Sequence, residues 1–174
     1  MASPFDGTTE RIDLAGFNAL PEAEAVPLLL ACCSSPAWAR GILAGRPYAS
    51  VDDMLESADR VLKGLSESEV DAALAGHPRI GASLPPDGNP WSGREQAGVA
   101  DADDAVRQAL AEGNRAYEER FGQVYLVCAT GRSAEDMLDF LHRRLSNDPV
   151  SERAVLREEL RKINRIRLEQ VLAR

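Results

Sequence analysis

The chain is 174 residues long, 44% hydrophobic, and carries a formal net charge of −8 at pH 7. That length suits a single domain, and the apolar fraction is enough for a real core, which excludes wholesale disorder. The acidic balance argues against a nucleic-acid or anionic-membrane binder, because counterion release needs clustered Lys and Arg.

The opening "MASPFDGTTERIDL" has no basic start followed by an apolar run, so no secretory signal is expected, and about residues 1–11 read as a flexible N-terminus. No apolar run approaches the roughly 20 residues of a membrane span. Three cysteines and two histidines fall at no metal-ligand spacing, so no metal and a reduced, cytoplasmic compartment are expected.

"PEAEAVPLLLACCSSPAWARGIL" predicts one helix, or two pieces, bent or broken at Pro27 and Pro36. "SVDDMLESADRVLKGL" starts at a good cap, Ser50, and carries Val51, Leu55, Val61 and Leu62 at helical spacing. In "SESEVDAALAG", Ser66 and Glu69 have capping-box spacing and Gly76 stands at the C′ position. Residues 77–91, "HPRIGASLPPDGNPW", read as a loop rich in proline and glycine.

A long helix is expected from "SGREQAGV" to about Phe121, with Val106, Leu110, Gly113, Tyr117 and Phe121 buried and Gly122 as its stop. "QVYLVCATG" has strand-like composition but no second strand to pair with, so it reads as an extended connector. "SAEDMLDFLHRRLSND" predicts a helix with Met137, Leu138, Leu141 and Leu145 inward, and the last helix runs from Pro149 onward. The predicted architecture is all-α: a single-domain helical bundle over residues 1–174 with its site between helices.

Four features could carry chemistry. His77, just past a helix end, either interacts with the last carbonyls or titrates as a general acid or base on a turn fixed by Pro78. Ser92 and Glu95 either form a capping box or line a small-molecule pocket together with Gln96. On the last helix, Leu156, Leu160, Ile163 and Val171 fall within about 80° of one another, with Arg167 in the middle of the stripe and Arg165 opposite. A guanidinium on an apolar face needs an anion, supplied by a protein carboxylate or by a ligand. Lastly, "VYLVCATGRS" is explained by core packing, or by backbone groups without ladder partners that could read an amide-rich heterocycle.

The segments "HPRIG", "SGREQAG", "NRAYEERFGQVYLVCATGRSAEDML" and "KINRIRLEQVL" together resemble the family of OHCU (2-oxo-4-hydroxy-4-carboxy-5-ureidoimidazoline) decarboxylase, from about residue 12 to the end. The resemblance implies an all-α, usually dimeric enzyme without metal or organic cofactor. Such an enzyme converts a ureide to (S)-allantoin and CO2 in uric acid degradation.

Carried over by residue, the resemblance gives His77 and Glu95 catalytic roles. It gives Pro78, Ser92, Gln96 and Arg167 substrate contacts, and a backbone-binding role to Val127, Cys128, Ala129, Thr130 and Gly131. Arg79 stands where many members carry aspartate. The expected partners are a small-molecule ureide and a second copy in a homodimer, with possible association with a hydroxyisourate hydrolase. Two other readings suit the residues: a helical interaction module that kept the fold without catalysis, and a lyase acting on a related ureide.

Overall fold

The protein is described by a computed structural model covering residues 11–82 and 90–172. Among these residues there are ten helices and no strand, only an isolated bridge between Ile12 and Leu172. They fall into two compact units, one drawn from Met1–Gly76 with Arg161–Arg174 and one from His77–Leu160. The all-α expectation therefore holds for the described residues.

The first unit contains α1 (Leu14–Ala19), α2 (Glu22–Cys32), α3 (Pro36–Ala44), α4 (Val51–Gly64) and α5 (Glu67–Ala75). The helix α1 was not anticipated; Asp13 caps it by accepting from the Gly16 N–H at 2.7 Å. Of the two suspect prolines, Pro27 lies inside α2 and only Pro36 marks a break. Pro36 occupies the first turn of α3, where a missing N–H costs nothing, and Ser35 caps that helix through the Trp38 N–H. The fully buried Trp38 ties α3 to α4 by donating Nε1–H to the Ala58 carbonyl at 3.2 Å.

Ser50 caps α4 as expected. Ser66 caps α5, but the reciprocal half of the predicted capping box is not the structure's choice. Glu69 instead accepts from the Ser35 hydroxyl at 2.9 Å, a long-range contact that joins α5 to the start of α3. Gly76 ends α5 in the right-handed region, at φ −84°. A Cβ there would come within 2.0 Å of the Ser34 hydroxyl, so a larger residue would have to displace that side chain.

The second unit begins with the His77 loop and contains α6 (Pro90–Glu95), α7 (Ala97–Ala100), α8 (Asp104–Phe121) and α9 (Ala134–Arg144). The single long helix expected from residue 92 to 121 is thus three helices. Gln96 separates the first two, and Asp103 opens α8 afresh by accepting from the Val106 N–H at 2.9 Å. Gly122 ends α8 in the left-handed region (φ 66°), as its position predicted. A Cβ on Gly113 would lie 2.0 Å from Leu141 Cδ2, so this glycine sets how closely α8 and α9 pack. Ser133 and Asp136 form a reciprocal capping box on α9.

The last helix, α10 (Pro149–Val171), contributes to both units. Between α8 and α9 the chain from 124 to 129 has no regular secondary structure, pairs with no strand among the described residues, and is buried from Tyr125 to Ala129. The connector reading of this segment is correct. It shares one apolar cluster with Ile80, Val99, Leu110, Tyr117, Met137 and Leu141.

Candidate functional site

The His77 loop is held from several directions within the second unit. Gly81 takes φ +79°, which L side chains rarely adopt, and its N–H donates to Gln96 Oε1 at 3.0 Å. One residue earlier, the Ile80 carbonyl accepts from Asn114 Nδ2 at 2.9 Å while its side chain joins the apolar cluster. Arg79 makes a bidentate pair with Glu118 of α8, at 2.6 and 2.5 Å. Each bond fixes a residue within four positions of His77, so the loop is constrained without help from its own sequence neighbours. His77 and Pro78 are themselves partly exposed.

The capping-box reading of Ser92 and Glu95 fails. Both residues lie inside α6, which starts two residues before Ser92, at Pro90. Proline suits the first helical turn, and that shift places Ser92 within the helix rather than ahead of it. Ser92 is 2% exposed, and its hydroxyl has no hydrogen-bond partner among the described residues. A buried hydroxyl without a partner is costly, so this position is not explained by helix capping or by packing. Glu95 ends α6 in a partly exposed position, and the neighbouring Gln96 spends its carbonyl on Gly81.

The extended segment is more completely satisfied than its composition suggested. The Cys128 N–H donates to Glu159 Oε2 at 2.9 Å, and the Leu126 carbonyl accepts from Arg144 Nη1 at 2.5 Å. The Ala129 carbonyl accepts from the Arg132 N–H in a turn at 3.0 Å. The Val127 backbone makes no hydrogen bond among the described residues although the residue is buried. Thr130 and Gly131 are exposed, with Gly131 at φ 76°.

Gly98 of α7 abuts the end of this stretch, since a Cβ there would meet the Arg132 carbonyl at 2.2 Å. The structure therefore brings three predicted segments together in the second unit: the histidine loop, the residues around Ser92–Gly98, and 125–132.

Behind the segment is a buried ion pair that the sequence reading missed. Arg144 is 1% exposed and Glu152 0%. Arg144 donates Nε–H to Glu152 Oε1 at 2.8 Å and lies over the rings of Tyr125 (4.8 Å), Phe140 (5.1 Å) and Tyr117 (5.5 Å). Glu152 also accepts from the Tyr117 hydroxyl and from Asn147 Nδ2 at 3.0 Å. Burial, with the Glu152 hydrogen bond, pushes the Tyr117 hydroxyl up to about 12. Burial is the largest single influence on Arg144 and works against its charge, but the Glu152 hydrogen bond together with the charge interactions of Tyr117, Glu152 and Tyr125 outweighs it and keeps the guanidinium protonated.

Arg167 belongs to the first unit. It is 2% exposed, as its place in the apolar stripe predicted, and donates Nη1–H to the Cys32 carbonyl at 3.1 Å. Arg165, on the opposite side, pairs with Asp59 at 2.8 Å. All three cysteines are free and buried, and no cluster of three or more His, Cys, Asp or Glu able to hold a metal occurs among the described residues. No described helix is long and apolar enough to cross a membrane.

The sequence profile of the OHCU decarboxylase family matches residues 18–169. The chain is 32% identical over 143 residues to 2-oxo-4-hydroxy-4-carboxy-5-ureidoimidazoline decarboxylase of Amia calva, covering 79% of this chain and 81% of that protein. It is 26% identical over 147 residues to the uric acid degradation bifunctional protein TTL of Arabidopsis thaliana, where the match spans 82% of this chain but 45% of the relative. In three dimensions it is similar to a crystal structure of OHCU decarboxylase in the presence of (S)-allantoin. The TM-score is 0.71 at 24% identity, covering 82% of this chain and 94% of that one, which is a likeness of fold. Architecture and matches define the class, an all-α decarboxylase fold. The chain belongs to the OHCU decarboxylase family.

Proposed function

We propose that this chain catalyses the cofactor-independent decarboxylation of 2-oxo-4-hydroxy-4-carboxy-5-ureidoimidazoline to (S)-allantoin and CO2, in uric acid degradation. Family membership carries the reading, and the chemistry of the substrate fits it. One ring carbon bears a carboxylate and a hydroxyl beside a ring C=N. When the bond to the carboxylate breaks and CO2 leaves, its electron pair forms a C=C to the neighbouring ring carbon and the C=N pair moves onto nitrogen, which takes a proton. The resulting enol then loses its hydroxyl proton to become a C=O as the neighbouring carbon is protonated. The substrate supplies its own electron sink, the task an organic cofactor performs elsewhere. What is left to the protein is orientation, stabilisation of developing charge, and protonation of carbon on one face.

In this reading His77 is the general acid, or the group that stabilises the developing negative charge. The bonds to Ile80, Gly81 and Arg79 support that role, since a proton must be delivered to one point. Glu95 takes the substrate hydroxyl. The unpartnered hydroxyl of Ser92 and the amide of Gln96 contact polar edges of the ureide, with Pro78 fixing the turn beside them. Backbone of Val127 to Gly131 reads the amide edges, Val127 being the position that is buried without a hydrogen bond. Arg167 holds the substrate carboxylate, a role supported by its burial and by the bidentate fit of a guanidinium to a carboxylate.

The same reading places the protein in the cytoplasm as a homodimer and makes a hydroxyisourate hydrolase its working neighbour. That two relatives are bifunctional uric acid degradation proteins, of which this chain matches only part, supports the last point. The test is to mix freshly generated substrate with the protein and follow circular dichroism. The (S)-enantiomer should accumulate faster than spontaneous decay allows, whereas a racemic product at the uncatalysed rate contradicts the proposal.

A further inference from the structure

Asn164 of α10 is 2% exposed, yet neither its amide nitrogen nor its amide oxygen has a hydrogen-bond partner among the described residues. The great majority of buried polar side-chain atoms in folded proteins are paired, and leaving a whole carboxamide unmade costs more than any gain from ordinary packing. The position is on the same face of α10 as Arg167, one turn earlier, which separates the two by about 4.5 Å along the axis. Both groups lie beside the buried Cys33 thiol. Burial is the largest influence on that thiol and pushes it up, while a contact from the Asn164 amide and the Arg167 charge pull it the other way; a neutral thiol is too weak a partner to satisfy the amide. Cys33, Asn164 and Arg167 therefore form a polar cluster inside the first unit in which the amide has no assigned task.

A carboxamide presents a donor and an acceptor side by side. An anion would use only the donor, and a hydrocarbon neither. Water or a hydroxyl can donate and accept too, but the group that matches both side by side in one plane is another amide edge, the N–H and C=O of a lactam or a ureido group. We propose that Asn164 is a specificity-determining contact of the substrate, pairing with an amide or ureido edge of the ureide whose carboxylate Arg167 holds. This rests on the assignment of Arg167 made above. A site built to satisfy such an edge rejects analogues that lack it, because its own polar atoms are then left buried and unpaired.

The test compares wild type with Asn164→Leu, which keeps the volume and removes both polar atoms, and with Asn164→Asp, which keeps the shape and removes the donor. Steady-state turnover of freshly generated substrate and urea unfolding are measured on each. Expected for the leucine variant are an unfolding midpoint at or above wild type, kcat within about twofold, and KM raised about tenfold or more. The aspartate variant should show the same rise in KM and carries the test if the leucine variant does not fold. A variant with wild-type KM overturns the inference. So does a lowered unfolding midpoint with unchanged KM, the signature of an internal water site. If wild type itself does not turn the substrate over, the functional reading fails first and this inference with it. An active wild type with indifferent Asn164 variants removes the inference alone.

Discussion

Replacing Glu152 with alanine should unfold the second unit far more readily than the loss of one acidic side chain suggests. Glu152 is completely buried and receives hydrogen bonds from Arg144 at 2.8 Å, Asn147 at 3.0 Å and the Tyr117 hydroxyl. Alanine leaves the Arg144 guanidinium buried without its anion, and breaking a buried pair from one side costs about 3–5 kcal/mol. For a chain of this size that corresponds to a fall of roughly 6–20 °C in Tm, at about 2–4 °C per kcal/mol. Urea unfolding followed by far-ultraviolet circular dichroism measures it.

The double variant Arg144→Met/Glu152→Leu removes both charges and should recover most of the loss. Recovery stays incomplete, because the Leu126 carbonyl also loses the Arg144 donor, and one unsatisfied buried group costs about 1–3 kcal/mol. A loss below about 1 kcal/mol for Glu152→Ala would show that this pair is not what clamps the extended segment, and would refute the reasoning.

Three further outcomes follow from the same geometry. Glu95→Gln should leave the melting temperature within about 1–2 °C, since Glu95 is partly exposed at the end of α6 and glutamine keeps its shape, while turnover falls at least a hundredfold; a collapsed melting temperature with retained activity contradicts this. Arg167→Met should weaken binding of substrate or an anionic analogue by about 2–5 kcal/mol, measured by titration, and unchanged affinity would remove Arg167 from the site. In alkali, the Tyr117 hydroxyl, raised in the folded state to about 12, contributes stability that is intact below its unfolded value near 10 and disappears as pH rises through about 12; Tyr117→Phe should flatten that part of the stability–pH curve.

What the sequence disclosed was mostly local. Ser50 starts α4 and Gly122 stops α8 as read, because a cap and a left-handed glycine act within four residues. The failure at residues 92–121 is local too. Asp103 in "ADADD" is a cap signal placed inside a strong helical pattern, and Pro90 moves the helix start ahead of Ser92. Glu69 shows the other limit, since its spacing suits a capping box but a serine 34 positions away wins it.

Candidate residues were legible where an apolar stripe carried a polar group, as with Arg167. Asn114, Arg144, Glu152 and Glu159, all nearly fully buried, lie at the margins of their helices' stripes rather than within them, so the same projection does not single them out. Their partners were not legible. That Asn114 holds Ile80 and Glu159 holds Cys128 depends on how distant segments pack, which no local pattern encodes.

The role of His77 bears the central claim, and one variant examines it directly. The His77→Asn protein should retain wild-type far-ultraviolet circular dichroism, because a partly exposed loop residue contributes little packing and the bonds through Arg79, Ile80 and Gly81 remain. With freshly generated substrate, its rate of (S)-allantoin formation should fall by about 10²–10⁴, the usual contribution of a positioned acid or base. Near-wild-type turnover in a correctly folded His77→Asn protein would contradict the account.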